Sequence, residues 1–357
     1  RRVLVSLCRE AGRESLMPLA ESNRIEFPRD QLALIAGPCS AESKAQMLEA
    51  ARSLAAANIW ALRAGVWKPR SRPGSFEGGG KEGLRWLVEA AREIGRPAAT
   101  EVATPAHVEA ALGAGVRVVW IGARTTANPF MVAELAQALR GVDVPVLVKN
   151  PVSPDLPLWI GALERLEAVG VRRLGAVHRG FSWEDASPYR NAPLWRLPLE
   201  LRRRMPSVPL WCDPSHIAGD ASRVAEISRI AVELLYDGLM IEVHPSPACA
   251  LSDAKQQLTP SEFLALRAEL ERRRPRAEAS SIGERRIAEL RHDLDETDSQ
   301  LVRVLAARMR LARRIARIQK AHGWAIFQPE RWQATLSRLQ EEGAAVDHGG
   351  LPAPACH

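Results

Sequence analysis

Short, uninterrupted apolar runs alternate along the chain with longer stretches in which apolar residues recur every three or four positions. A short apolar run bounded by polar or turn residues indicates a buried strand, and the longer pattern indicates an amphipathic helix. Each predicted strand is therefore followed by a predicted helix. The predicted strands are residues 32–36, 59–63, 98–102, 116–121, 144–148, 172–177, 208–212 and 238–243.

Eight alternations of strand and helix predict a closed parallel barrel, the (β/α)8 TIM-barrel architecture of the α/β class. The strands are too apolar to be half-exposed, as expected where both faces of a parallel sheet are covered. An open, doubly wound sheet would also alternate, but eight repeats with polar chemistry at nearly every strand end favour the barrel. We place the barrel at residues 31–272, after an N-terminal extension at 1–30.

The C-terminal part of the chain has a different pattern. Residues 273–283 begin with clustered arginines around Pro275 and lose apolar periodicity, which is typical of a linker. A long amphipathic helix is predicted at 284–319 and a second helix at 329–340, and the long one needs a partner for its apolar face. The sequence thus predicts a small all-α helical domain at 284–340 and a disordered tail at 341–357.

The amino-acid composition argues against several classes of protein. The 357-residue chain has a formal charge of +7, but it lacks the basic segments with interleaved aromatics that are typical of nucleic-acid binding. Its five cysteines have no paired spacing, so no disulfide framework is expected and a reducing compartment fits. No apolar run is long enough for a membrane span. We expect a cytoplasmic protein without nucleic-acid or membrane partners.

Four residues of metal-ligand type, Cys39, His216, Glu242 and Asp253, lie where apolar runs stop. A barrel gathers its strand ends on one face, so these distant residues are expected to meet there and hold a divalent metal ion. A thiol, an imidazole and carboxylates together suit Mn²⁺, Fe²⁺, Zn²⁺ or Co²⁺ better than Mg²⁺ or Ca²⁺. Taken singly, each residue also has an ordinary structural explanation, such as a small buried cysteine or a capping aspartate.

Cationic side chains occupy other strand ends. Cations converging on one barrel mouth repel each other unless anions are present, so the sequence predicts substrates that carry phosphate or carboxylate groups. Salt-bridged surface loops would explain any single residue, but they explain poorly why lysine, with only six in the chain, occurs at two of these ends. The cations are Arg63, Lys68, Arg70, Arg124, Lys149 and Arg179.

Seven short motifs lie at or after the ends of predicted strands. They are Gly37-Pro38-Cys39-Ser40-Ala41-Glu42, Lys68-Pro69-Arg70-Ser71, Ile121-Gly122-Ala123-Arg124, Val148-Lys149-Asn150, His178-Arg179-Gly180, Asp213-Pro214-Ser215-His216 and Ser252-Asp253-Ala254-Lys255-Gln256-Gln257. Together they resemble the short barrel type of 3-deoxy-D-arabino-heptulosonate 7-phosphate (DAHP) synthase, over roughly residues 32–270. The resemblance implies condensation of phosphoenolpyruvate with D-erythrose 4-phosphate, the first step of the shikimate pathway.

The resemblance also implies roles for individual residues. The metal would be held by Cys39, His216, Glu242 and Asp253 and would polarise the aldehyde oxygen of the sugar. Phosphoenolpyruvate would be held by Arg124, Lys149 and Arg179, with Arg63 and Lys68 nearby. Lys149 would also deliver a proton, because neighbouring arginines disfavour a further positive charge.

Arg70 and Ser71 resemble the site for the phosphate of erythrose 4-phosphate. A related barrel enzyme, 3-deoxy-D-manno-octulosonate 8-phosphate synthase, uses arabinose 5-phosphate and carries Lys-Ala-Asn-Arg where this chain has Lys68-Pro69-Arg70. The Lys-Pro-Arg motif therefore favours the four-carbon sugar. A barrel that only senses metabolites is the non-enzyme alternative, and intact ligand and cation sets argue against it.

The C-terminal helices carry Leu290-Arg291-His292-Asp293, Ala307-Arg308-Met309 and Gln328-Pro329-Glu330-Arg331. These motifs resemble the all-helical chorismate mutase that is often fused to this barrel, in which Arg291, Arg308 and Arg331 would hold the carboxylates of chorismate. Gln319 stands where that family has a lysine. No third helix is expected after residue 340. The resemblance implies binding of chorismate or prephenate, weak or absent mutase turnover, and a homo-oligomer formed through the barrel and these helices.

Overall fold

Eight parallel strands pair in chain order in the computed structural model, and pairing of the first with the eighth closes the barrel. The predicted TIM barrel is confirmed. The structure describes Ile25 and residues 32–68, 74, 76–183, 187–273 and 281–346, with only the backbone of 281–289 and 343–346. The strands are β1 Ala33–Gly37, β2 Ala61–Arg63, β3 Ala98–Val102, β4 Val118–Ile121, β5 Val146–Lys149, β6 Leu174–His178, β7 Leu210–Cys212 and β8 Gly238–Glu242.

Five strands, β2 and β4 to β7, begin two residues later than the apolar runs predicted. Ile59, Val116 and Val208, which open three of these runs, are buried but lie before the paired residues. An apolar run indicates which residues are buried. In these strands the buried residues begin in the connecting segment, before the first residue that pairs with a neighbouring strand. The strand number and order were therefore predictable, whereas the first residue of each strand was not.

Helices follow every strand and cover the outside of the barrel. Several start at a polar residue that accepts a hydrogen bond from a first-turn backbone N–H, among them Ser43, Thr104, Asn128, Asp155 and Asp220. The helices are α1 Lys44–Leu54, α2 Gly80–Glu93, α3 Pro105–Ala114, α4 Ala123–Thr126, α5 Pro129–Ala138, α6 Leu156–Ala168, α7 Arg196–Arg204, α8 Pro214–Ala218, α9 Ala221–Glu233 and α10 Pro260–Arg273.

Two helices, α4 and α8, were not predicted, because four or five residues are too few to show a helical period. Each begins directly after a strand, at the mouth of the barrel. Helix α4 carries Arg124, and α8 carries His216. The Asp213 side chain caps α8 by accepting a hydrogen bond from the His216 backbone N–H at 3.1 Å. These short helices therefore fix two of the predicted site residues.

The barrel interior is filled by a separate cluster of buried side chains that includes Trp120 and Trp211. Glycine at position 238 is required for this packing, because a Cβ there would overlap the Trp211 ring. Ile25, placed in the N-terminal extension by the sequence analysis, is buried in the same cluster and would touch a side chain at Gly175. Ile25, which precedes the predicted barrel boundary at residue 31, therefore contributes a side chain to the barrel interior.

The chain divides into two compact units, one ending with α10 and the other beginning with the long C-terminal helix. The second unit contains α11 Ser281–Ala321 and α12 Pro329–Val346. Helix α12 continues six residues beyond its predicted end at residue 340, into the segment predicted to be disordered. Glutamate and alanine there favour a helix, and a single interior glycine, Gly343, costs only about 1 kcal/mol.

Other parts of the C-terminal predictions fall outside the described residues. These are the centre of the predicted linker, residues 274–280, and the end of the predicted tail, residues 347–357. None of the helices that the structure describes is long and apolar enough to cross a lipid bilayer.

Candidate active site

Three predicted metal ligands meet at the mouth of the barrel. Cys39 lies two residues beyond β1, Glu242 is the last residue of β8, and Asp253 lies in the following loop. Within the described part of the chain, one ligand atom from each of these residues lies within 4.8 Å of the other two. The Cys39 thiol donates a hydrogen bond to Asp253 Oδ2 at 3.3 Å. The sequence placed Asp253 at a strand end, but it comes from a loop eleven residues after β8.

His216 lies next to this group. Its Nε2 is 3.9 Å from Glu242 Oε1, and its Nδ1 is 2.8 Å from Asp213 Oδ2. A carboxylate on one ring nitrogen orients a histidine and leaves the other nitrogen for a metal ion. We define Cys39, His216, Glu242 and Asp253 as the ligand cluster.

The electrostatics of the ligand cluster suit a divalent cation. Burial raises the pKa of the Cys39 thiol to about 12, and the Glu242 carboxylate contributes to this shift. Burial opposes ionisation of Glu242 and Asp253 too, but His216 and nearby guanidinium groups more than offset it, so the pKa of each carboxyl group is lowered. Two ionised carboxylates beside a protonated thiol offer negative charge, and a metal ion that displaced the thiol proton would gain a third anionic ligand.

Arg63 connects the ligand cluster to the predicted anion site. It is 1% exposed, and its Nη2 donates to Glu242 Oε1 at 3.1 Å. Its guanidinium carbon is 5.0 Å from the centre of the Trp120 ring. Neither Nε nor Nη1 of Arg63 has a hydrogen-bond partner among the described residues. Buried donors without partners are costly, so these two atoms are suited to an anionic ligand.

Two lysines of the predicted site have different partners at the barrel mouth. Lys68 Nζ is 3.0 Å from Cys39 Sγ, which places this lysine beside the ligand cluster. Lys149 Nζ is 2.7 Å from Asp213 Oδ2 and 5.7 Å from the centre of the Trp120 ring. The prediction for Lys149 considered only its neighbouring arginines, and the structure adds an ion pair with the buried Asp213 carboxylate.

The remaining cations of the predicted clamp lie at the ends of β4 and β6. Burial lowers the pKa of Arg179, and although Asp213 opposes the shift, the like charges of Arg190 and Arg124 add to it. Two asparagines hold Arg179, since Asn191 Oδ1 accepts from its Nη1 and Asn150 Oδ1 accepts from its backbone N–H, both at 2.7 Å. A phosphate or carboxylate near Arg179 and Arg124 would relieve their mutual repulsion. The predicted sugar-site residues Arg70 and Ser71 lie outside the described residues.

The predicted mutase residues belong to the second unit. Arg291 and Arg308 are exposed on α11, and Arg331 is exposed on α12. Gln319 is half-buried, and its side-chain amide donates to the Ala325 carbonyl at 3.3 Å in the turn between the helices. Gln319 therefore has a local structural role within this unit.

Comparison with known proteins decides the family. Residues 17–276 match the sequence model of the DAHP synthetase I family. The chain belongs to the DAHP synthetase I family. Residues 290–354 match the model of chorismate mutase type II. Both matches confirm the resemblances that the motifs indicated.

Individual proteins similar to this DAHP synthetase I family member include enzymes of two related kinds. Phospho-2-dehydro-3-deoxyheptonate aldolase of Thermotoga maritima is 30% identical over 238 residues, which cover 66% of this chain and 67% of the relative. The crystal structure of the DAHP synthase of Thermotoga maritima is 29% identical, with a TM-score of 0.63 and 70% of each chain covered. A 2-dehydro-3-deoxyphosphooctonate aldolase of Acidithiobacillus ferrooxidans is 30% identical over 243 residues, which cover 62% of this chain and 81% of that one.

Sequence reasoning missed several residues of this DAHP synthetase I site. Trp120, in the middle of β4, lies beneath both Arg63 and Lys149 and donates from its Nε1 to Glu101 Oε2 at 2.9 Å. An apolar residue inside an apolar strand gives no signal of a functional contact. Gln256 was quoted only as part of a motif, yet its Nε2 donates to Glu242 Oε2 at 2.7 Å and fixes that carboxylate.

Proposed function

We propose that the chain condenses phosphoenolpyruvate with D-erythrose 4-phosphate at the barrel mouth, giving 3-deoxy-D-arabino-heptulosonate 7-phosphate and phosphate. One observation carries this proposal: the buried Arg63 guanidinium bonds Glu242 of the ligand cluster and keeps two donors without partners in the described residues. An anion bound to these donors would therefore lie next to a metal ion in the ligand cluster. Membership of the DAHP synthetase I family supports the same reaction.

The ligand cluster fits a divalent metal ion in its donor set and its charge. Cys39, His216, Glu242 and Asp253 would hold the ion, and the soft thiolate among them favours Mn²⁺, Fe²⁺, Zn²⁺ or Co²⁺. When bound, the ion would act as a Lewis acid toward the aldehyde oxygen of the sugar. Gln256 holds Glu242 and Asp213 holds His216, so two of the four ligands are already oriented.

Phosphoenolpyruvate would occupy the space faced by Arg63, Arg124, Lys149 and Arg179. The guanidinium groups suit bidentate contacts with its carboxylate and phosphate. Lys149 is the group we propose as proton donor, since its ammonium has three N–H bonds and Asp213 engages it from one side. Lys68, beside Cys39, would extend the positive charge toward the sugar. Arg70 and Ser71 would bind the sugar phosphate, a proposal that rests on their motif.

The reaction is placed in the cytoplasm in this proposal. Cys39, Cys212 and Cys249 are free thiols among the described residues, which suits a reducing compartment. Both proposed substrates are phosphorylated small molecules, and neither nucleic acid nor membrane is a proposed partner.

The sugar specificity gives a direct test of the proposed function. Phosphate release from phosphoenolpyruvate should be faster with erythrose 4-phosphate than with arabinose 5-phosphate by about a hundredfold in kcat/KM. The Lys68-Pro69-Arg70 motif is one residue shorter than the octulosonate motif, and a longer sugar would displace the phosphate from its site. Measuring both sugars under identical conditions checks this. A preference for arabinose 5-phosphate would instead support the octulosonate reaction named for the relative in Acidithiobacillus ferrooxidans.

For the second unit, we propose dimerisation with a second copy of this chain. Helix α11 spans about 60 Å and α12 about 27 Å at 1.5 Å per residue, so α12 is too short to cover the apolar face of α11. That face is largely exposed, as at Leu294 (59%), Leu305 (59%) and Ile315 (57%). Exposed apolar patches of this kind mark interaction sites. A dimer would also let arginines from two copies share one site for chorismate or prephenate.

Removing the second unit tests this role. A chain that ends at Pro275 should lose the dimer contacts of the helices but keep condensation activity, because the barrel is a compact unit of its own. Mutase turnover of the full chain should be weak. Replacing a charged donor by the neutral Gln319 amide costs on the order of 3 kcal/mol, or about a hundredfold in rate. Solution mass with and without the unit, and chorismate consumption, provide the measurements.

Two outcomes would contradict the proposed dimerisation or the expected weak mutase turnover. An unchanged oligomer after truncation would place the association elsewhere, and brisk conversion of chorismate to prephenate would show that another group replaces the missing lysine. The second result would leave the proposed dimer intact, so the two parts of the assignment can fail separately.

A further inference from the structure

Asn191 lies in the loop between β6 and α7 and contacts both halves of the site. It is 7% exposed. Its Oδ1 accepts a hydrogen bond from Arg179 Nη1 at 2.7 Å, and its Nδ2 donates to the His216 carbonyl, also at 2.7 Å. One buried amide therefore connects a cation of the proposed phosphoenolpyruvate site to the residue that brings an imidazole to the ligand cluster.

Backbone contacts fix the loop that carries Asn191. Its N–H donates to the Ile217 carbonyl at 3.2 Å, and Arg190 N–H donates to the Ala218 carbonyl at 3.2 Å, so the loop lies along α8. The next residue, Ala192, exchanges two backbone hydrogen bonds with Phe181, both at 2.8 Å. The Asn191 amide thus cannot turn away from one partner without losing the other.

Helix α8 is short enough to respond to this contact. It has five residues, and its start is capped by Asp213. The His216 ring is held by Asp213 at Nδ1, and its Nε2 faces Glu242 at 3.9 Å. A shift of the His216 backbone would change that separation, and a metal ligand has to lie within a few tenths of an ångström of its working position.

We propose that Asn191 is a positioning residue that couples anion binding at Arg179 to metal binding at His216. An anion that holds the Arg179 guanidinium also fixes the Asn191 amide, which then holds the His216 carbonyl and with it the imidazole. The coupling is reciprocal, so metal binding strengthens anion binding by the same factor. This inference rests on the proposed function of the barrel mouth.

The test compares two asparagines that contact Arg179. Asn191→Asp keeps the acceptor toward Arg179 but turns the donor toward the His216 carbonyl into a second acceptor. Asn191→Ala removes both contacts. Asn150→Asp is the matched control. Asn150 holds the Arg179 backbone N–H, and its Nδ2 donates to the Pro151 and Gly180 carbonyls, so these side-chain hydrogen bonds do not involve α8.

Equilibrium dialysis of Mn²⁺ with the full-length chain, with and without phosphoenolpyruvate, measures the coupling. We expect phosphoenolpyruvate to tighten Mn²⁺ binding of the unmodified chain about tenfold, and both Asn191 variants to reduce that factor to near one. Asn150→Asp should weaken phosphoenolpyruvate binding. At saturating phosphoenolpyruvate, however, Mn²⁺ should still bind this variant about tenfold more tightly than without it. A retained factor in the Asn191 variants, or no coupling in the unmodified chain, would overturn the inference. Absence of both Mn²⁺ and phosphoenolpyruvate binding would instead overturn the proposed function.

Discussion

Replacing Cys39 with Ala is expected to lower metal affinity and turnover together, each by more than about a hundredfold. Losing a residue that only orients a metal ligand typically costs 10- to 100-fold, and Cys39 is proposed as a ligand itself. The variant removes the thiolate that would neutralise the cation, while the two carboxylates and His216 remain. Metal content after dialysis and the rate of phosphoenolpyruvate consumption measure the two effects.

Cys212→Ala is the matched control for this substitution. Both cysteines are fully buried, but Cys212 ends β7 and packs in the hydrophobic core outside the ligand cluster. Its replacement should reduce thermal stability modestly and leave metal content unchanged. If Cys39→Ala kept its metal and its rate, the ligand cluster would not be the metal site.

Replacing Lys149 with Arg should lower kcat by about 10² to 10⁴ and change the KM for phosphoenolpyruvate much less. The guanidinium keeps the positive charge and the ion pair with Asp213, but it does not release a proton at neutral pH. A drop in kcat alone would therefore report the proton transfer, whereas loss of charge would weaken substrate binding. Steady-state kinetics with phosphoenolpyruvate as the varied substrate separate the two.

Lys44→Arg provides the control for the same chemical change. Lys44 is exposed on α1, where its Nζ forms a surface ion pair with Glu89 at 2.6 Å. Surface pairs of this kind contribute little to stability, so the control should behave as the unmodified chain. Unchanged kcat in Lys149→Arg would exclude Lys149 as the proton donor and leave it a role in binding only.

The fold was predictable because each barrel strand is buried on both faces and appears as a continuous apolar run. The same runs pointed to the site, because the polar residue that ends a buried strand, such as Glu242 in β8, stands out from its apolar neighbours. Cys39 was found by the same reasoning. The alternation of strands and helices was enough to predict a closed parallel barrel without knowledge of any side-chain contact.

Other features of the site depend on pairings between distant segments, which periodicity does not contain. The ion pair of Lys149 with Asp213 joins residues 64 positions apart in the chain. Trp120 and Asn191 gave no signal, since a tryptophan in a strand and an asparagine in a loop are usually structural. Helices α4 and α8 were too short to have a period. Finding these features required the three-dimensional structure, because each depends on contacts between distant parts of the chain or on a helix too short to have a period.

Removal and return of the metal ion test the central claim, that the ligand cluster and the cation clamp together condense the two substrates. The purified chain is stripped with a chelator, and consumption of phosphoenolpyruvate is followed with erythrose 4-phosphate present, before and after adding Mn²⁺. We predict no consumption without metal, and restored consumption with one phosphate and one seven-carbon product formed per phosphoenolpyruvate. A full rate in the metal-free chain, or no seven-carbon product after metal is restored, would contradict the account.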